Sequence, residues 1–213
     1  MTLHRFPDAP ARIRDLRTDQ RGFPVPWFVA WIDGKPDFRV IEHGKIGEAL
    51  RHDQCWLCGQ RLGAYKAFVI GPMCAINRVS SEPPCHLECA EFAAQACPFL
   101  TQPKMRRNDK GLPESAQSAP GIPLDRNPGV ALIWSTKRFR TSRVDHGVLF
   151  DVGEPDQVRW FAEGRPATRD EVLTSITSGL NVLLDAAMSD GPPAVAELRQ
   201  RLLAVAPLLP VAA

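Results

Sequence analysis

Apolar positions along this 213-residue chain change their spacing several times, and each change predicts a different element. From Val25 to Ile41 they form two runs rich in aromatic and β-branched residues, Val25–Ile32 and Asp37–Ile41, around Asp33-Gly34. Asp-Gly tolerates the positive φ of a tight turn, so a β-hairpin is predicted. Such a hairpin buries too little surface to stand alone and should pack on the unit that follows it. Ile46 to His52 read as one or two helical turns. Ala67–Gly71 and Ala75–Val79, around Gly71-Pro72, read as two short strands. Pro83 and Pro84 then interrupt the pattern, and the helix formers of Glu88–Cys97 predict a helix after them.

Thr101 to Asn127 has prolines, basic residues and few large apolar groups, and reads as an extended connection. A second pattern starts at Gly129. Val130–Trp134, Val148–Val152 and Val158–Ala162 are apolar runs with bends at Asp145–Gly147 and Gly153–Asp156, the signature of an antiparallel β-meander. Thr168-Arg-Asp-Glu171 is a capping box, and Val172, Ile176, Leu180, Leu183, Leu184 and Ala187 follow it at helical spacing. Gly191-Pro192-Pro193 stops that helix. Val195, Leu198, Leu202 and Val205 mark another, so the chain should end in an antiparallel helix pair.

The predicted class is α+β. Its order is a mobile basic arm (1–22), a β-hairpin with a cysteine-rich unit (23–100), a Pro-rich linker (101–128), then the meander and helical hairpin (129–213). The arm is set apart by Arg5, Arg12, Arg14, Arg17 and Arg21 against Asp8, Asp15 and Asp19.

Composition narrows the classes. Hydrophobic content of 44% and charge of 23% fit a folded chain. A net charge of +2 gives no global field drawing the protein to nucleic acid or membrane. The amino terminus lacks a secretory apolar run, and no stretch is expected to approach the ~18 apolar residues of a membrane span. Closely spaced cysteines without a signal point to metal in a reducing cytoplasm rather than to disulfides.

All six cysteines lie between Cys55 and Cys97. Cys55-x2-Cys58 and His86-x2-Cys89, with 27 residues between the inner members, have the pairing of a tetrahedral zinc site. Gly59 can turn backbone amides toward the first pair, and the second pair falls in the first turn of the predicted helix, where the dipole favours thiolate. Other assignments compete. Cys85 and Cys89, at i and i+4, could pair in place of His86, and Cys74 is an alternative ligand or a small buried hydrophobe. Cys97 lies about 12 Å along the helix from Cys89. Six thiols could also hold an iron–sulfur cluster, although a histidine-containing pair favours one structural zinc ion.

Knuckle, hairpin and ligand-bearing helix, from Gln54 to Leu100, resemble a treble-clef zinc finger. That resemblance embraces nucleases of the HNH type, nucleic-acid binders and protein-interaction modules. Nuclease chemistry needs a histidine base and a second metal-binding group in the hairpin. Between Cys58 and Cys85 there is neither histidine nor aspartate, and Glu82 is the single carboxylate. An enzyme would have to assemble its site from distant residues such as Asp33, His43, His52 or His146.

Lys137, Arg138, Phe139, Arg140 and Arg143 form the most basic short segment. With Lys104, Arg106 and Arg107 it is a candidate nucleic-acid surface, Phe139 stacking on a base; a solvated hairpin is the plainer reading. RGFPVPWFVAWIDGKPDFRV, CWLCG, AFVIGPMCAINR, HLECAEFAAQACPFL, NPGVALIW and WFAEGRPATRDEV together resemble a group of uncharacterised proteins of bacteria and their phages. The resemblance implies a shared fold and a mobile-element setting, and no activity. The expectation is a zinc-stabilised, non-enzymatic protein binding nucleic acid or a protein partner.

Overall fold

A computed structural model describes residues 5–103, 105–113, 120, 126–145 and 147–211. Its elements run α1 (Ala11–Arg14), β1 (Val29–Ile32), β2 (Lys35–Ile41), α2 (Lys45–His52), β3 (Lys66–Ile70), α3 (Pro72–Asn77), β4 (Val79–Ser80), α4 (Leu87–Ala96) and α5 (Pro98–Thr101). There follow β5 (Ala131–Thr136), β6 (Arg140–Val144), β7 (Gly147–Asp151), β8 (Gln157–Ala162), β9 (Arg165–Pro166), α6 (Arg169–Asp190) and α7 (Pro192–Val205).

The organising layer is an antiparallel sheet in the order β3-β5-β8-β9. β5 is buried along its whole length, because both faces are covered. Side chains alternate across it. Ala67, Ile133 and Phe161 join Cys55, Cys58, Cys89 and Ala90 on one face, and Phe68, Leu132, Trp134 and Trp160 join Phe150 and Val172 on the other. A smaller sheet, β4-β7-β6, supplies that second face, and α6 and α7 close it against α3 through Met73, Ile76, Ala187 and Leu198.

The mixed α/β class, the antiparallel sheets and the C-terminal helix pair are as expected, and the capping box at Thr168 and Glu171 is formed in both directions. Four details differ. Pro72–Asn77 is a helix, not the second strand of a hairpin: Pro72 begins it, and β3 takes β5 as its partner. The three later strands are not one meander, since the predicted run Val148–Val152 lies in β7 up to Asp151 and pairs with β6 and β4 while β5 pairs with β8. Because β3 and β5 are neighbours, the sheet crosses the 101–128 segment, whose end is held by buried Asn127 donating to the carbonyls of Phe99, Leu100 and Gln102. Within the amino-terminal arm, Ile13 and Ala9 are buried, Phe6 packs edge-on against Phe92, and Arg12 pairs with Glu88 at 2.9 Å.

α6 also departs from expectation. It is long and apolar enough to cross a membrane by length and composition, because only Asp185 is charged between Val172 and Met188. Here it packs on α3 and α7.

Candidate metal centre

The first ligand pair sits on a tight backbone reversal. Gln54 and Arg61 bridge antiparallel, the Cys55 amide donates to the Gln60 carbonyl at 2.8 Å, and the Gly59 amide donates to the Cys55 carbonyl at 2.8 Å. Gly59 closes the reversal at φ +74°, and a Cβ there would lie 2.5 Å from Trp27 Cδ1. Glycine is required both for the φ and for this contact. The segment leading into β1 covers the same reversal: the Trp27 amide donates to the Leu57 carbonyl at 2.8 Å, and Phe28 stacks on Trp56 with ring centroids 4.6 Å apart. From the hairpin itself Ile41, at the end of β2, packs on the same cluster, in line with the expectation that the hairpin leans on this unit.

The second pair is delivered by β3. Cys85 and Ala67 exchange both backbone hydrogen bonds, at 2.9 and 2.7 Å, and the Trp56 amide donates to the Pro84 carbonyl at 3.0 Å. His86, extended at φ −65° and ψ 149°, is the N-cap of α4, and Cys89 follows in its first turn. The first turn's free amides and dipole therefore face the sulfurs.

The ligand atoms of Cys55, Cys58, His86 and Cys89 lie within 4.8 Å of one another, the one such Cys/His/carboxylate group among the described residues. His86 Nδ1 is 3.4 Å from Cys58 Sγ and 3.9 Å from Cys89 Sγ. Tetrahedral zinc with ordinary bond lengths separates its ligands by about 3.6–3.8 Å, so the spacing suits such an ion without rearrangement. His86 Nε2 lies 3.0 Å from the Arg61 carbonyl, and donating there leaves Nδ1 with its lone pair toward the sulfurs. The three cysteines are buried and the histidine is half-buried. This donor set can hold a metal ion.

The electrostatics fit a cation site. Hydrogen bonds from Cys58, then Cys85 and Cys89, pull the Cys55 thiol far below its ordinary value, and that thiolate pushes Cys58 and Cys89 up. His86 is raised, chiefly by its hydrogen bond with Cys55. The His86 amide also points to Cys55 Sγ at 3.4 Å. Cys85 stands beside Cys55 but outside the four-atom group; its thiol is raised by Cys55 and by burial. Burial alone is the leading cause of the raised Cys74 and Cys97 thiols, the behaviour of core cysteines. No disulfide joins the six.

Of the candidate nucleic-acid residues, the four cations Lys137, Arg138, Arg140 and Arg143 are exposed and Phe139 is not. Phe139 turns inward, 5.6 Å from Phe68 and 5.9 Å from Phe150 between ring centroids, so its ring is spent on the core rather than free for a base. Lys137 pairs with Asp156 at 3.4 Å and sits over Tyr65. Arg138, Arg140 and Arg143 are exposed. Arg107 pairs with Asp109 and reaches the Arg39 carbonyl near the first hairpin; Lys104 lies outside the described residues. Asp33, in the β1–β2 turn, His43, just before α2, and His52, its last residue, belong to no metal-capable group, and His146 also lies outside the described residues.

Two parts of the site were hidden from the sequence: the Arg61 carbonyl, since any residue type supplies a carbonyl, and the Ala67–Cys85 bridge, whose partners are 18 residues apart. Protein-family models, curated proteins and solved structures give no match to the chain.

Proposed function

We propose that Cys55, Cys58, His86 and Cys89 bind one zinc ion, and that the chain is a non-enzymatic binding protein built on this treble-clef-like unit. The observation that carries the reading is the closed donor set: three thiols and an oriented imidazole, beside the Phe28–Trp56 stack. Four protein ligands complete a tetrahedral ion and leave no position for a reacting water, as in structural rather than catalytic zinc sites. The ion would clamp the 54–61 reversal to the start of α4. Contacts to a partner, whether nucleic acid or protein, would lie elsewhere on the scaffold. A reducing cytoplasmic setting suits the free thiols, and the resemblance to bacterial and phage-associated proteins extends the proposal to a mobile-element setting.

Elemental analysis of the purified protein tests this directly. One zinc per chain, lost in His86→Ala and Cys89→Ser but retained in Cys97→Ser, is the expected result. A folded chain without metal, or iron with visible absorption, would overturn it.

A further inference from the structure

β6 is the longest described strand with no buried or half-buried residue. It is the outer strand of the β4-β7-β6 sheet, and all five of its residues, Arg140–Val144, are exposed. On its inner side it pairs with β7 residue by residue, from Arg140 opposite Asp151 to Val144 opposite Gly147. In an antiparallel ladder alternate residues turn their N–H and C=O away from the partner, so half of the β6 backbone is presented to its outer edge, where no strand pairs among the described residues. Exposed edges of this kind are templates for another strand.

The side chains select the sort of strand. Arg138, Arg140 and Arg143 have no carboxylate within 4.0 Å among the described residues, whereas Arg78 and Lys137 nearby are paired with Glu154 and Asp156. Positive charge at the edge opposes pairing with a second copy of the same strand. It favours an incoming segment with acidic residues. Nucleic acid fits less well: Phe139 is committed to the core, and Asp145 and Asp151 lie among the arginines, where a continuous phosphate backbone would meet them. An extended peptide can place its acids opposite the arginines and other side chains elsewhere. Val144, 39% exposed, adds an apolar contact at the end of the strand.

We propose that the open edge of β6 is a docking strand for an extended, acidic segment of a partner protein, bound by β-strand addition. Backbone hydrogen bonds would supply affinity, and Arg140 and Arg143 the preference for acidic residues on the two faces. The inference deepens the binding-protein reading and rests on it.

The test uses the full-length, zinc-analysed protein and a short blocked peptide containing Glu-Val-Val-Glu, whose two glutamates fall on opposite faces when it is extended. Amide NMR spectra should show saturable shifts centred on Thr141–Val144. Arg140→Glu combined with Arg143→Glu should weaken binding about tenfold or more, equivalent to ~1.4 kcal/mol. Both sites are exposed, so this variant should keep its zinc and its dispersed spectrum. An N-methylated peptide of the same sequence, with its charges intact and its strand-pairing amides blocked, should also bind at least about tenfold more weakly. The proposal fails if millimolar peptide leaves β6 unshifted, or if the N-methylated peptide binds equally well. Arginine-dependent binding of duplex DNA or single-stranded RNA, tighter than that of the peptide, would assign the edge to nucleic acid instead. Zinc content is read independently, so a zinc-loaded protein that ignores the peptide refutes the docking strand and leaves the metal reading standing.

Discussion

His86 meets its neighbours on two sides at once: Nδ1 faces the sulfurs of Cys58 and Cys89, and Nε2 faces the Arg61 carbonyl. Replacing it with alanine removes one of the four candidate donors and leaves that carbonyl without its imidazole. Cys85→Ala removes a buried thiol next to Cys55 without touching the four-atom group. His86→Ala should therefore release metal to a chromogenic chelator at concentrations that leave Cys85→Ala loaded; the reverse order would move the fourth ligand to Cys85. Gly59 gives a second prediction. Alanine there adopts an unfavourable positive φ and strikes Trp27, which together should cost about 2–4 kcal/mol in urea denaturation. In a Trp27→Ala background the steric part disappears, so the two substitutions should be non-additive. The ligand pairs were legible because spacing encodes them. The choice between His86 and Cys85 was not, because it depends on Cys85 turning its backbone into the bridge with Ala67.

Among elements, α6 was readable from its capping box and α3 was not readable as a helix. The box is local: Thr168 Oγ1 accepts from the Glu171 amide at 3.3 Å, and Glu171 accepts from the Thr168 amide at 2.8 Å. Nothing distant is needed to form it. Pro72–Asn77 is short and apolar, a run that suits strand and helix alike. Pro72 starts it and distant packing covers it: Gly179 of α6 lets Met73 approach so closely that a Cβ would sit 2.9 Å from the sulfur. Thr168→Ala should lower stability by about 1 kcal/mol, measured by chemical denaturation. The carboxylate of the box also carries a pH signature. Hydrogen bonds from the Arg165 guanidinium, then the Thr168 amide, hold the Glu171 carboxyl down at about 2. A depressed carboxylate contributes its stabilisation above its ordinary value of 4.5 and loses it as pH falls toward about 2. Partial exposure keeps that contribution small. Carbon-detected titration of Glu171 should show the low midpoint, Arg165→Gln should move it upward, and Glu171→Gln should flatten this part of the acid limb.

For the molecule as a whole, the decisive contact is β3 with β5. β3 is tied at Ala67 to Cys85, the residue before a ligand, and along its length to the strand that carries Trp134. The sequence suggested a break across 101–128 because that stretch has no periodicity. Sheet order is set instead by pairing between distant runs, which no local pattern records. One consequence concerns cooperativity. Metal binding in small zinc units is worth ~10 kcal/mol or more, comparable with the ~5–15 kcal/mol that separates folded from unfolded states in whole domains. Stripping the ion should therefore disorder more than the loops around it. The 54–61 reversal and α4 cover one face of the sheet, and Ala67, Ile133 and Phe161 would lose that cover together. Chelation at neutral pH should abolish near-ultraviolet dichroism from Trp134, on the opposite face, along with that from Trp56, in a single transition. Residues 1–128 and 129–213 produced separately should each fail to give dispersed spectra, since each would expose an unpaired strand and half of a shared core. If the second fragment folded alone, or if Trp134 kept its signal after chelation, the metal centre would be a local clip and β3 merely its neighbour in the sheet.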